Sequence, residues 1–219
     1  MIDYERARET MVDNQLRTSA ITDRRLLAAM GEVPREVFVP EARRSLAYVD
    51  VAHQLAGSSG RSLSQPAPFA RLVQLAEIAP EDTVLDVGAG TGYSAAVLAR
   101  LATNVVALES DPALVEAARQ NVAAVGADNV SVIEGALDAG AADQGPYDVI
   151  LIEGAVADVP APLLRQLKQG GRLVALVRRG PAAVANVFVR TGDDFAPRTE
   201  FNTSLPPLTV EARPDAFIF

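Results

Sequence analysis

The sequence predicts an α/β protein, a doubly wound and mostly parallel sheet preceded by an N-terminal helical extension. Two observations carry this. From residue 66 to residue 177, short apolar runs alternate with helical repeats, the pattern of strands joined by crossover helices. Before that, residues 1–65 read as helices and loops, and the last forty or so residues are strand-like. The expected division is therefore an extension over 1–65 and a single compact domain over 66–219.

The elements follow in order. Thr22 or Asp23 can cap a helix carrying Leu26, Leu27 and Met30, which Gly31 and Pro34 end. The segment from Val49 to Gln65 contains Gly57, Ser58, Ser59, Gly60, Ser62 and Ser64. By composition it is a linker, the alternative being a loop that folds over a site. Pro66 suits the first turn of a helix bearing Phe69, Leu72, Val73 and Ala76. TVLDV (83–87) is a buried parallel strand and YSAAVLARLA (93–102) the next helix. NVVALE (104–109) is a strand, and Asp111 and Pro112 start a helix that Gly126 ends. NVSVIE (129–134), YDVILIE (147–153) and GRLVALV (171–177) are further strands, with a helix over PLLRQLK (162–168). Right-handed crossovers between parallel strands place a ligand at the carboxyl edge of such a sheet.

Composition narrows the chemistry. The 219 residues carry a formal net charge of −8, which repels a phosphate backbone, so no nucleic-acid partner is expected. There is no cysteine, which excludes disulfides, thiolate catalysis and cysteine-held zinc, and the single histidine, His53, excludes a multi-histidine metal centre. No metal is expected. The charged start MIDYERARETM lacks the apolar core of a secretory signal, and no apolar run reaches the roughly 18 residues that a membrane span needs. A cytoplasmic protein is the expectation, with no membrane partner.

The strongest local signal is Asp86-Val87-Gly88-Ala89-Gly90-Thr91-Gly92-Tyr93, between a strand and a helix. Glycines permit a tight turn and close backbone approach to a ligand. The spacing is G-x-G-x-G with Tyr93 in the sixth place, which departs from the dinucleotide fingerprint G-x-G-x-x-G. Asp86 would repel a pyrophosphate but attract a sulfonium or an amino group. S-adenosylmethionine has both cations and no phosphate, and the stretch is similar to the first motif of class I methyltransferases, a Rossmann-like fold. Glu109, followed by Ser110, ends the next strand, where a carboxylate can accept both hydroxyls of a ribose. The strand 129–134 leads toward the adenine side.

Beyond that motif, the chain resembles the protein-L-isoaspartate O-methyltransferases, as a divergent member. The likeness runs through MVDNQLRTSAITDRRLLAAMGEVPREVFVP (11–40), AYVD (47–50), SGRSLSQP (59–66), VLDVGAGTGYSAAVLARL (84–101), NVSVIEG (129–135), YDVILIEGA (147–155) and the run from Pro160 to Val177. The resemblance implies S-adenosyl-L-methionine as cofactor and isoaspartyl residues of damaged proteins or peptides as substrate. It places the methyl acceptor at the segment 60–66, whose Ser64 matches a family serine, whose Ser62 keeps the hydroxyl of a family threonine, and whose Arg61 replaces a glutamine. It thereby turns the linker into an acceptor loop. It also marks Asp86, Gly88, Ala89, Gly90, Gly92, Tyr93, Glu109, Ser110, Ala136, Leu137 and Glu153 as the cofactor set. Three departures stand out: Ala136-Leu137 where the family has Asp-Gly, Glu153-Gly154-Ala155 where it often has Thr-Ala-Ala, and Ser204-Leu205-Pro206-Pro207-Leu208 near the acceptor. An alternative is a cofactor-binding protein without isoaspartyl repair activity, or a methyltransferase for another carboxylate.

Overall fold

The computed structural model describes residues 2–55, 60–179 and 182–209. Gly57, Ser58 and Ser59 of the expected loop lie outside the described residues.

Among the described residues the sheet has seven strands: β3 (Thr83–Val87), β4 (Asn104–Glu109), β5 (Val130–Glu134), β6 (Tyr147–Val156), β7 (Leu167–Arg179), β8 (Ala182–Thr191) and β9 (Asp194–Thr203). Their order is β5-β4-β3-β6-β7-β8-β9. The first five are mutually parallel, and β8 and β9 are added antiparallel. The chain winds outward from β3 to β5 and then returns to β6 on the other side of β3, so the topological switch point lies between β3 and β6. Side chains alternate across each strand. Val84, Val105, Ala107, Val149 and Leu151 therefore enter one hydrophobic layer, and Leu85, Val87, Val106, Leu108, Ile150 and Ile152 the opposite one. Both faces are covered, which is why these strands are continuous apolar runs.

Helices α1 (Tyr4–Met11), α2 (Arg24–Glu32), α3 (Pro66–Leu75), α4 (Tyr93–Leu98), α5 (Pro112–Ala124) and α6 (Ala161–Arg165) complete the elements, with a π-helical turn over Val12–Leu16. Capping follows the sequence. Asp23 accepts from Arg25 N and Leu26 N, Asp111 accepts from Ala113 N, Pro66 opens α3, and Gly126 takes φ 63° after α5. The extension packs on the sheet's first layer, where Met11, Leu16, Leu26 and Met30 join the same cluster as Phe69, Leu72 and Leu98. Gln74 ties it down by accepting from Thr22 N (2.7 Å) and Asp23 N (3.1 Å).

Three elements differ from expectation. The helix expected over 162–168 ends at Arg165, because Gln166 O accepts from Tyr147 N (2.8 Å) and Leu167 already pairs with Tyr147 in the sheet. The helix expected over 93–102 ends at Leu98 and tightens into i→i+3 bonds, Arg100 N to Val97 O and Leu101 N to Leu98 O. The loop before Pro66 contains a short antiparallel pair, β1 (His53–Gln54) and β2 (Ser62–Leu63), in register His53 to Leu63.

Candidate functional site

The site forms where β3, β4 and β6 end side by side. Asp86 pairs with Leu151 of β6 and Ala107 of β4, so Gly88, Glu109 and Glu153 stand at neighbouring places along the carboxyl edge. Gly88, Gly90 and Gly92 all have positive φ (85°, 58° and 92°), a conformation that side chains disfavour. Gly88 N and Ala89 N donate to Leu108 O, which folds the turn against β4. A Cβ on Gly90 would approach Leu55 to 2.9 Å, and one on Gly88 would approach Leu208 to 2.9 Å. The glycines therefore leave a space between the β1–β2 segment and the C-terminal stretch, into which the side chains of Arg61, Leu55 and Leu208 reach. That stretch is bonded to β6 through Ala155 N to Pro206 O and Leu208 N to Ala155 O, both 2.9 Å.

Glu109 is fully buried and heavily engaged. Oε2 accepts from Gly90 N (2.8 Å) and Arg61 Nη2 (2.9 Å), and Oε1 accepts from Ser110 N (2.7 Å) and Asp111 N (3.1 Å). Arg61 also donates to Gly88 O at 2.6 Å. Asp86 accepts from Ser94 Oγ at 2.6 Å through Oδ2, while its buried Oδ1 has no hydrogen-bond partner among the described residues. Burial, reinforced by the Glu109 charge and opposed by the Ser94 bond and by Arg61, pushes the Asp86 carboxyl up to about 7. Glu153 is likewise raised well above the ordinary carboxylate range, by burial and then by Asp86. The Arg61 guanidinium thus pairs with Glu109 and is also acted on by Glu153, Asp86 and Asp111.

The remaining expected residues are placed as follows. Ala89 is buried within the turn, and Ser110 supplies its amide to Glu109. Leu137 is buried in the opposite-face core, while Ala136 is exposed at the end of β5. Tyr93 turns away from the glycine space into the core, its ring 5.6 Å from Phe38 and 5.8 Å from Phe69. Ser64 is buried and Ser62 half-buried. Arg61, expected beside the acceptor, lies against Glu109 at the carboxyl edge of the sheet.

Sequence reasoning missed Arg35. It is fully buried, donates to Ala47 O (2.8 Å) and Ser64 O (2.5 Å), and lies 4.7 Å from the Tyr93 ring centroid. It also missed Leu55 and Leu208, whose role depends on contacts across the fold. A cavity of about 530 Å³ opens beside the edge of β6, lined by Ala155, Arg178, Asn202, Ser204, Leu205 and Pro207.

A seven-stranded sheet of this order, with a glycine turn after its central strand and an acid ending the next, defines a class I methyltransferase fold. The model of the family Protein-L-isoaspartate(D-aspartate) O-methyltransferase matches residues 6–211. A protein-L-isoaspartate O-methyltransferase of Koribacter versatilis is 46% identical over 167 residues, 76% of this chain and 74% of its own. One of Methanoregula boonei is 44% identical over 193 residues, 88% of this chain and 87% of its own. A solved protein-L-isoaspartate O-methyltransferase superposes with a TM-score of 0.82 at 27% identity, over 92% of this chain and 66% of that longer one. The Plasmodium falciparum structure with S-adenosyl-L-homocysteine shares the fold, with a TM-score of 0.77 at 19% identity over 96% of this chain and 100% of that one. The chain belongs to the protein-L-isoaspartate(D-aspartate) O-methyltransferase family.

Proposed function

We propose that this chain methylates the free carboxylate of isoaspartyl residues in damaged proteins or peptides, with S-adenosyl-L-methionine as methyl donor. The observation that carries the reading is the glycine space bounded by Glu109 and by the orphaned Oδ1 of Asp86. A buried carboxylate oxygen with no partner calls for a donor or a cation, and the cofactor's amino and sulfonium groups are both cationic. The residues present fit it. Glu109 would hold the ribose, Asp86 and Glu153 the cationic end, and the Gly88–Gly92 backbone would allow close approach. When bound, the cofactor supplies an electrophilic methyl.

The chain's own residues then have positioning work to do. An acceptor carboxylate with a pKa near 4 is ionised at neutral pH, so no strong base is needed. Ser64 and Ser62 orient it by hydrogen bonding, in line with the methyl. The cavity beside Ala155 suits the flanking peptide, with the exposed Arg178 favouring acidic neighbours. Among the described residues no helix is long and apolar enough to cross a membrane, and the cytoplasm is the compartment we assign. Methyl transfer to an isoaspartyl peptide, measured by mass spectrometry beside its normal aspartyl twin, tests the reading. Equal transfer to both, or to neither, refutes isoaspartyl specificity.

A further inference from the structure

We propose that Arg61 is a built-in competitor of the cofactor, and that its departure from Glu109 sets how tightly the cofactor binds. The proposal rests on the reading of the glycine space as the cofactor site. Its basis is saturation. A carboxylate offers about four acceptor positions. In Glu109 they are taken by Gly90 N, Ser110 N, Asp111 N and Arg61 Nη2, with the Ser110 hydroxyl a longer fifth donor to Oε1 at 3.4 Å. Three of these donors are backbone amides fixed by the turn and by the start of α5. Arg61 is the side-chain donor on Oε2, so it is the one that can yield there to a ribose hydroxyl.

Sterics agree. A Cβ built on Gly88 would come within 2.7 Å of Arg61 Nη2, so the guanidinium fills the volume that this glycine leaves open. Charge agrees as well. Arg61 is 8% exposed and is the cation in contact with Glu109, and it also acts on Glu153 and Asp86, Arg35 acting on Glu153 more weakly. Taking it away leaves buried acids without compensation, which is costly unless another cation replaces it. A ligand bearing a sulfonium and an amino group does so. The exchange also needs little backbone movement. Leu55 N donates to Arg61 O at 2.9 Å, so the β1–β2 pair can keep its register while the side chain swings out.

A site open for only part of the time binds with an affinity reduced by that fraction. Removing the competitor should therefore tighten every ligand that uses Glu109, whether or not it carries the methyl. Titration calorimetry of S-adenosylmethionine and S-adenosylhomocysteine against the wild type, Arg61→Gln and Arg61→Met checks this, with circular dichroism to follow the fold. The expected result is tighter binding of both ligands by a similar factor, on the order of tenfold, in both variants. Equal or weaker binding in folded variants overturns the proposal and makes Arg61 a ligand contact. Loss of fold in both variants overturns it too, since Arg61 would then be a structural strut. If the wild type binds but the variants do not tighten, the cofactor reading stands alone. If neither wild type nor variants bind either ligand, the cofactor reading falls and this proposal with it.

Discussion

Arg35 and Ser64, 29 residues apart in the chain, are joined by a hydrogen bond of 2.5 Å from the buried guanidinium to the serine carbonyl. The same guanidinium donates to Ala47 O, so one side chain from the extension fixes both ends of the segment that carries β1, Arg61 and Ser62. Its Nη1 has no hydrogen-bond partner among the described residues, and the Tyr93 ring lies beside it. The extension therefore does more than cover the sheet. It sets the height of the segment before α3 over the glycine turn.

Arg35→Met should loosen that segment and destabilise the fold. Two hydrogen bonds to a charged donor are lost, and the apolar replacement offsets part of the loss, for a net of about 3 kcal/mol. In a chain of this size that lowers the melting temperature by roughly 6–12 °C. Thermal unfolding by circular dichroism measures it, and an unchanged transition would mean that the two carbonyls are held without Arg35.

Ser64→Ala should lower the methyl-transfer rate and leave cofactor affinity nearly unchanged. Ser64 is buried, its carbonyl is already occupied by Arg35, and the methyl donor is assigned to residues on the sheet edge. Loss of an orienting hydroxyl acts on the reacting geometry, so kcat/KM for the peptide falls while calorimetric binding of S-adenosylmethionine does not. Full activity on every acceptor would reduce the segment to a connector.

Much of the fold was legible because its signals are local. Asp23, Asp111, Pro66 and Gly126 mark helix ends by chemistry that acts within four residues, and each stands at the end it announces. The inner strands β3, β4, β6 and β7 were legible because burial on both faces removes polar alternation, whereas the half-exposed edge strand β5 was legible from its β-branched residues. The helix over 162–168 was not, since Leu167 and Lys168 suit a helix locally and only pairing with β6 draws them into β7. At the site, Asp86, the glycines and Glu109 are set by the strand ends and could be read directly. Arg61 on Glu109 spans 48 residues and Arg35 on Ser64 spans 29, and no local pattern encodes either pairing.

Glu109→Gln should weaken S-adenosylmethionine binding by about 1–3 kcal/mol, because a charged acceptor is exchanged for a neutral one at the ribose. The amide keeps one oxygen for Gly90 N or Ser110 N, so the turn survives. Unchanged affinity in titration calorimetry would remove Glu109 from the cofactor set.

Ala136→Asp should tighten binding by ~1 kcal/mol, one hydrogen bond's worth, if the adenine edge lies beyond β5. Ala136 is exposed, so the larger side chain enters without repacking the core, whereas the adjacent Leu137 is buried and could not be changed so freely. A weaker complex in the folded variant would place the adenine elsewhere.

The raised carboxyls of Asp86 and Glu153 give the last expectation, a linked dependence of stability and cofactor affinity on pH. Asp86 moves from an ordinary 3.8 to about 7, chiefly by burial, and Glu153 rises for the same reason and by facing Asp86. Between those two values the folded chain holds a proton that the unfolded chain has released. Stability toward unfolding therefore falls as pH rises through that window, the reverse of a salt-bridged acid. Asp86→Asn, which keeps the shape and an acceptor for Ser94, should flatten the slope. Cofactor binding should run the other way. A fixed sulfonium favours ionised carboxylates, so affinity for S-adenosylmethionine rises with pH across the same range and protons are released on binding. S-adenosylhomocysteine, whose sulfur is neutral, should show the smaller rise. Calorimetry in buffers of different ionisation enthalpy counts the protons directly. Equal proton release for the two ligands, or none for either, would mean that Asp86 and Glu153 do not face the sulfonium.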